Sequence, residues 1–131
     1  MKYIKYYVSS KEGESNCVIR SFCKLYNEEY EQVYNDLLEI MKELNKNSYN
    51  DIEVFEEYMR RRNTKQINLN KNLKIKDLKL DNEEYIVFCS DKKDYYHMVP
   101  IINNVLYDKS EESLNLYTIS IYKKLKDNKY Q

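Results

Sequence analysis

The spacing of apolar residues changes once along this chain, near Asn63, and that change limits the folds open to it. Upstream, Tyr30, Val33, Tyr34, Leu37, Ile40, Met41 and Leu44 recur every three or four residues, the period of a helix buried along one stripe. Ile52, Phe55, Tyr58 and Met59 repeat the pattern within 51–62. Downstream the apolar runs are short and rich in β-branched and aromatic residues: 64–69, 85–89, 95–102, 105–108 and 116–122. Runs of that length and composition form strands. Helices gathered before strands, rather than alternating with them, give the α+β class, with the helices expected to pack on an antiparallel sheet.

A chain of 131 residues suits a single domain, 1–131, that buries about two-thirds of its unfolded surface. Its 22 basic residues balance its 22 acidic ones, so there is no global field to hold nucleic acid or an anionic bilayer. The start, Met1 to Tyr6, carries no apolar leader, and no run approaches the roughly 18 apolar residues of a membrane span. Three cysteines without a CxxC pair fit free thiols in a reducing compartment better than a disulfide framework. The expectation is a soluble, cytoplasmic protein with no membrane partner.

Residues 3–8 read as a short strand, and 9–16 as a polar loop holding the chain's one glycine, Gly13. Asn16 is placed to cap a helix running over 17–25. At 100° per residue, Val18, Ile19, Phe22, Cys23 and Tyr26 share one face of that helix, while Cys17 falls on the other with Arg20, Ser21 and Lys24. Cys23 therefore reads as a small core residue and Cys17 as a thiol at the helix mouth. Asn27 is the expected N-cap of the second helix, with Glu28 and Glu29 complementing its dipole. Arg60, Arg61 and Arg62 suit the carbonyl end of the third. Residues 73–80 alternate as part strand, part turn, and a polar tail follows from Lys123.

The segment 95–108 carries the most geometry. Asn103-Asn104 between two β-rich runs signals a type I′ hairpin, because Asn tolerates positive φ. With these two at the turn, Leu106 faces Ile101 and Asp108 faces Val99. Side chains alternate along a strand, so His97, Val99, Ile101, Leu106 and Asp108 share a face. His97 and Asp108 become diagonal neighbours, roughly 5–8 Å apart at Cβ. A slip of one residue would put them on opposite faces.

These residue types have a chemistry in common. The thiolate is the nucleophile, and a helix N-terminus and an imidazolium both favour it. The second imidazole nitrogen needs an acceptor to fix its tautomer and angle. Cys17 as nucleophile, His97 as base and Asp108 as orienting carboxylate would fill these roles, and His97 is the only histidine in the chain.

The segment Asn16-Cys17-Val18-Ile19-Arg20-Ser21, followed by Tyr30-Glu31-Gln32-Val33-Tyr34, resembles the start of papain-like and C39-like cysteine peptidase domains. The stretch from Tyr96 to Asp108 is similar to that family's strand histidine, tight turn and acidic or amide residue on the next strand. The two matches cover about a third of the chain. The resemblance implies a papain-like fold with the cysteine helix packed against the sheet, and acyl transfer on a protein or peptide substrate without cofactor or metal. Many members donate to the oxyanion from a glutamine before the cysteine. No glutamine precedes Cys17 here, so the hole would use the Cys17 N–H with a donor from Ser15 or Asn16.

Two other readings compete. A papain-like scaffold can serve as a non-catalytic binding module, since fold does not fix function, and the fifteen tyrosines could supply an interface. Cys17, Cys23, Cys89 and His97 could instead form a Cys₃His zinc centre, although their spacing matches no compact ligand pair.

Overall fold

Three helices precede all but one strand of the sheet, in line with the change of period. The structure, a computed structural model, describes residues 1–8, 16–68 and 72–126. The helices are α1 (Cys17–Tyr26), α2 (Tyr30–Glu43) and α3 (Ile52–Arg60). The strands are β1 (Lys2–Lys5), β2 (Thr64–Ile67), β3 (Glu84–Ser90), β4 (Tyr96–Ile102), β5 (Val105–Asp108) and β6 (Tyr117–Lys124). Short 3₁₀ turns span Ile75–Asp77 and Glu111–Asn115.

The six strands form one sheet in the order β1-β5-β4-β3-β6-β2. The sheet is mixed, and this corrects the expected antiparallel one: β1 runs parallel to β5, with Lys2 opposite Val105 and Lys5 opposite Asp108. A parallel neighbour needs a long crossover, and here the helices and three strands intervene between β1 and β5. Nothing in the composition of a four-residue edge strand encodes its direction. The hairpin forms as expected, with Asn103 at φ 52° and Asn104 at φ 61°, and Ile101 opposite Leu106. The pairing between β4 and β5 ends there, so Asp108 does not face Val99 in a ladder. Its backbone pairs with Lys5 instead.

Both faces of the sheet are buried. On one, Ile19 and Phe22 of α1, Val33 and Leu37 of α2, and Phe55 and Tyr58 of α3 pack with Ile86, Met98 and Tyr122. On the other, Ile75, Leu78 and Leu80 cover Val87, Cys89, Val99, Ile101, Leu106 and Ile121. A strand covered on both sides reads as a continuous apolar run, which accounts for 85–89. It also explains 73–80, whose alternating residues form a 3₁₀ turn and a single bridge, Lys74 to Tyr117, over the second face.

With one glycine in the chain, asparagine takes over the left-handed positions that close helices. Asn27, Asn45 and Asn63 lie at φ 54°, 57° and 56° after α1, α2 and α3. Asn27 is thus the C-cap of α1, not the N-cap of α2, which is Glu29. Asp51 does cap α3, accepting from the Glu53 N–H at 2.9 Å. The three arginines after Tyr58 do more than meet a dipole: Arg61 bridges Glu57 and Glu43, and Arg62 pairs with Asp36 at 2.8 Å while lying 3.6 Å from the Tyr58 ring centroid. They tie α3 to α2. The expected tail from Lys123 begins as strand, since Lys123 and Lys124 pair with Lys65 and Thr64. Among the described residues, no helix is long and apolar enough to cross a membrane.

Candidate active site

Helix α1 lies over β4, where the Ser21 hydroxyl donates to the Met98 carbonyl at 3.1 Å and Ile19 and Phe22 pack beside Met98. The first residue of the helix, Cys17, is thereby held against His97. The pairing of β4 with β5 has ended by this point, and side chains from α1 reach both strands. The Cys17 thiol and the His97 imidazole face each other closely enough that each shifts the titration of the other. His97 Nε2 lies 2.7 Å from Asp108 Oδ2, which leaves Nδ1 as the nitrogen for the thiol. Cys17, His97 and Asp108 thus form one connected line. His97 and Asp108 are 7% and 2% exposed, so Asp108 is no ordinary turn residue at a strand end.

Asp108 is saturated. Oδ1 accepts from Arg20 Nη2 at 2.9 Å and from the Lys109 N–H at 2.8 Å, and Oδ2 accepts from the Ser113 hydroxyl besides His97. Burial works against its ionisation, but the His97 bond and charge, the Ser113 hydroxyl and the Lys109 amide hold its carboxyl below the usual range. Burial likewise opposes charge on His97, yet the bonds and negative charges of Asp108 and Cys17 raise it to about 9. For Cys17, burial raises the thiol, and the bond and charge of His97, the Met98 amide and the Arg20 charge together bring it below its ordinary value. All three shifts favour a thiolate beside an imidazolium.

The other two cysteines behave differently. Cys23 is in the helical core, where burial pushes it up to about 11. Burial also pushes up Cys89, whose thiol donates to the His97 carbonyl at 3.4 Å. The three cysteines and His97 do not converge as zinc ligands, and among the described residues no three His, Cys, Asp or Glu side chains group as a metal site.

Asn16 makes no side-chain cap bond, contrary to its expected capping role. Its Oδ1 accepts from Arg20 Nη1 at 2.8 Å, an ion-strengthened bond that outcompetes a backbone amide. Ser15, the other candidate oxyanion donor, lies outside the described residues. A cleft of about 350 Å³ opens on the site, lined by Asn16, Cys17, His97, Tyr95, Leu116 and Glu112 among others. Tyr95 stacks on His97 with centroids 5.6 Å apart and remains 48% exposed, whereas Tyr96 stacks on Phe88.

Sequence reasoning missed Arg20 and Ser113. The signal for Arg20 is a cation three residues after Cys17 on the same helix face; the wheel places it there without giving it a role, and the structure buries it to 3% exposed. Ser113 sits in a 3₁₀ turn and had no signal at all. No protein family, curated protein or solved structure matches this chain.

Proposed function

We propose that the chain is a cysteine hydrolase or acyltransferase, a peptidase, isopeptidase or amidase, working through Cys17, His97 and Asp108 on a papain-like, C39-like layout. The observation that carries this reading is the line from a half-buried thiol to a buried imidazole and a buried, saturated carboxylate. The Cys17 thiolate attacks the carbonyl carbon of an amide or thioester in a protein or peptide substrate, and the electron pair moves onto the carbonyl oxygen. That oxyanion is met by backbone N–H groups at the start of α1, which precede the first intrahelical bond from the Arg20 N–H to the Asn16 carbonyl. Asn16 adds a second donor: with its oxygen committed to Arg20, its carboxamide offers N–H to the cleft. The imidazolium of His97 then protonates the leaving group as the intermediate collapses to a thioester on Cys17. His97, now neutral, takes a proton from water, the hydroxide attacks the thioester, and the acid leaves as the thiolate re-forms. Asp108 keeps the ring at the angle both transfers need.

The half-exposed Tyr95 on the cleft wall supports the alternative, a non-catalytic binding module. Iodoacetamide labelling followed by peptide mass spectrometry separates the two. On the catalytic reading Cys17 reacts well below pH 8, ahead of Cys23 and Cys89, and His97→Ala slows it. Equal reactivity at all three cysteines would end the catalytic reading.

A further inference from the structure

Arg20 is buried with its charge, and its contacts make it part of the site rather than of the fold around it. One guanidinium nitrogen reaches Asp108 Oδ1 at 2.9 Å and the other Asn16 Oδ1 at 2.8 Å. Both acceptors are themselves buried. Without Arg20, a thiolate at Cys17, an imidazolium at His97 and a carboxylate at Asp108 would leave one uncompensated negative charge, with Asp108 itself 2% exposed at the closed end of the cleft. Removing charge from water costs several kcal/mol per ion unless it is paired, and a site in that condition takes up a proton instead. The weakest holder of negative charge is the thiol, since its ordinary value lies far above that of a carboxyl.

Resting on the catalytic reading above, we propose that Arg20 is a positioning residue that balances the charge of Asp108 and so allows Cys17 and His97 to rest as an ion pair. The site is then a chain of four alternating charges, Cys17, His97, Asp108 and Arg20, closed on itself because the first and last sit one turn apart on α1. The other titratable groups facing it supply no substitute cation at Asp108. Cys89 on β3 and Tyr95 beside β4 hold their protons, as burial raises both. Tyr3 on β1 donates to the Asp108 carbonyl at 3.0 Å. Lys109 offers its backbone amide to the carboxylate, and Glu112 on the cleft wall is negative.

The test is the pH dependence of Cys17 alkylation by iodoacetamide in the full chain, read on the Cys17 peptide, alongside a thermal melt of each variant. Arg20→Gln is expected to move the acid midpoint of Cys17 upward by about one unit, so that labelling well below that midpoint slows about tenfold. Arg20→Lys, which keeps the charge but not the fork, is expected to stay near wild type. The double variant Arg20→Gln with Asp108→Asn removes both charges, and is expected to bring the midpoint back down from that of Arg20→Gln; it keeps the proposal testable if the single variant folds poorly. A wild-type midpoint below that of an ordinary thiol, unmoved in Arg20→Gln, overturns the role of Arg20 and leaves the catalytic reading standing. Equal upward shifts in Arg20→Gln and Arg20→Lys overturn it too, since only the fold would then be at stake. A wild-type midpoint near 8.5, unaffected by His97→Ala, would instead sink the catalytic reading itself.

Discussion

Replacing Asp108 with alanine removes one acceptor from four donors at once: His97 Nε2, Arg20 Nη2, the Ser113 hydroxyl and the Lys109 amide. Three of these donors belong to buried side chains, so water does not readily take the place of the carboxylate. Breaking a buried ion pair from one side costs about 3–5 kcal/mol. The stranded hydroxyl would add to this, but such terms overlap, and about 4 kcal/mol is a fair total. Unfolding entropy of about 2.1 cal/mol/K per residue over 131 residues is roughly 0.28 kcal/mol/K, so the loss corresponds to a Tm about 14 °C lower. Asp108→Asn keeps the shape and one oxygen while giving up the charge, and is expected to lose about half as much. The measurement is a far-UV circular dichroism melt at pH 7. Because the carboxyl is held below its ordinary value, its stabilisation is present above the unfolded value near 3.9. It is lost as pH falls through the lower folded value, so pH 7 reads it in full. An alanine variant melting within about 3 °C of wild type would refute the reasoning, because the four bonds would then contribute almost nothing.

His97 is the only histidine, so one Hε1 resonance should titrate in proton NMR with a midpoint near 9 instead of the usual value near 6.5. A raised value means that the stability His97 contributes is complete below about pH 6.5 and is lost as pH climbs through about 9; a midpoint near 6.5 would remove the ion pair from the site. Cys17→Ala should abolish thioester formation with little change in melting. Cys23→Ser should leave Cys17 alkylation intact and lower stability by about 1–3 kcal/mol, because a hydroxyl replaces a thiol in an apolar core; melts showing the reverse order would undo the assignment of the two cysteines.

Much of this architecture was legible from short stretches. The wheel that separated Cys17 from Cys23 needed only ten residues of α1, and the two asparagines at the turn were enough to put His97 and Asp108 on one face, although the bond between them crosses strands that no longer pair. Asn16 and Asn27 show where such reading fails. Both look like N-caps, yet Asn16 is drawn away by Arg20 and Asn27 closes the helix before it. An asparagine fits either end of a helix, and in a chain with a single glycine the left-handed positions claim it.

By itself, then, the sequence determined the helices, most of the strands and the register of the hairpin, because each depends on backbone periods and turn geometry that act over a few residues. Only the tertiary structure decided that β1 joins the sheet parallel to β5, that 72–80 covers its second face, and that Arg20 meets Asp108 across 88 positions of sequence. Those outcomes depend on how whole elements pack. A buried charge finds its partner by position in space, and no local pattern records that position.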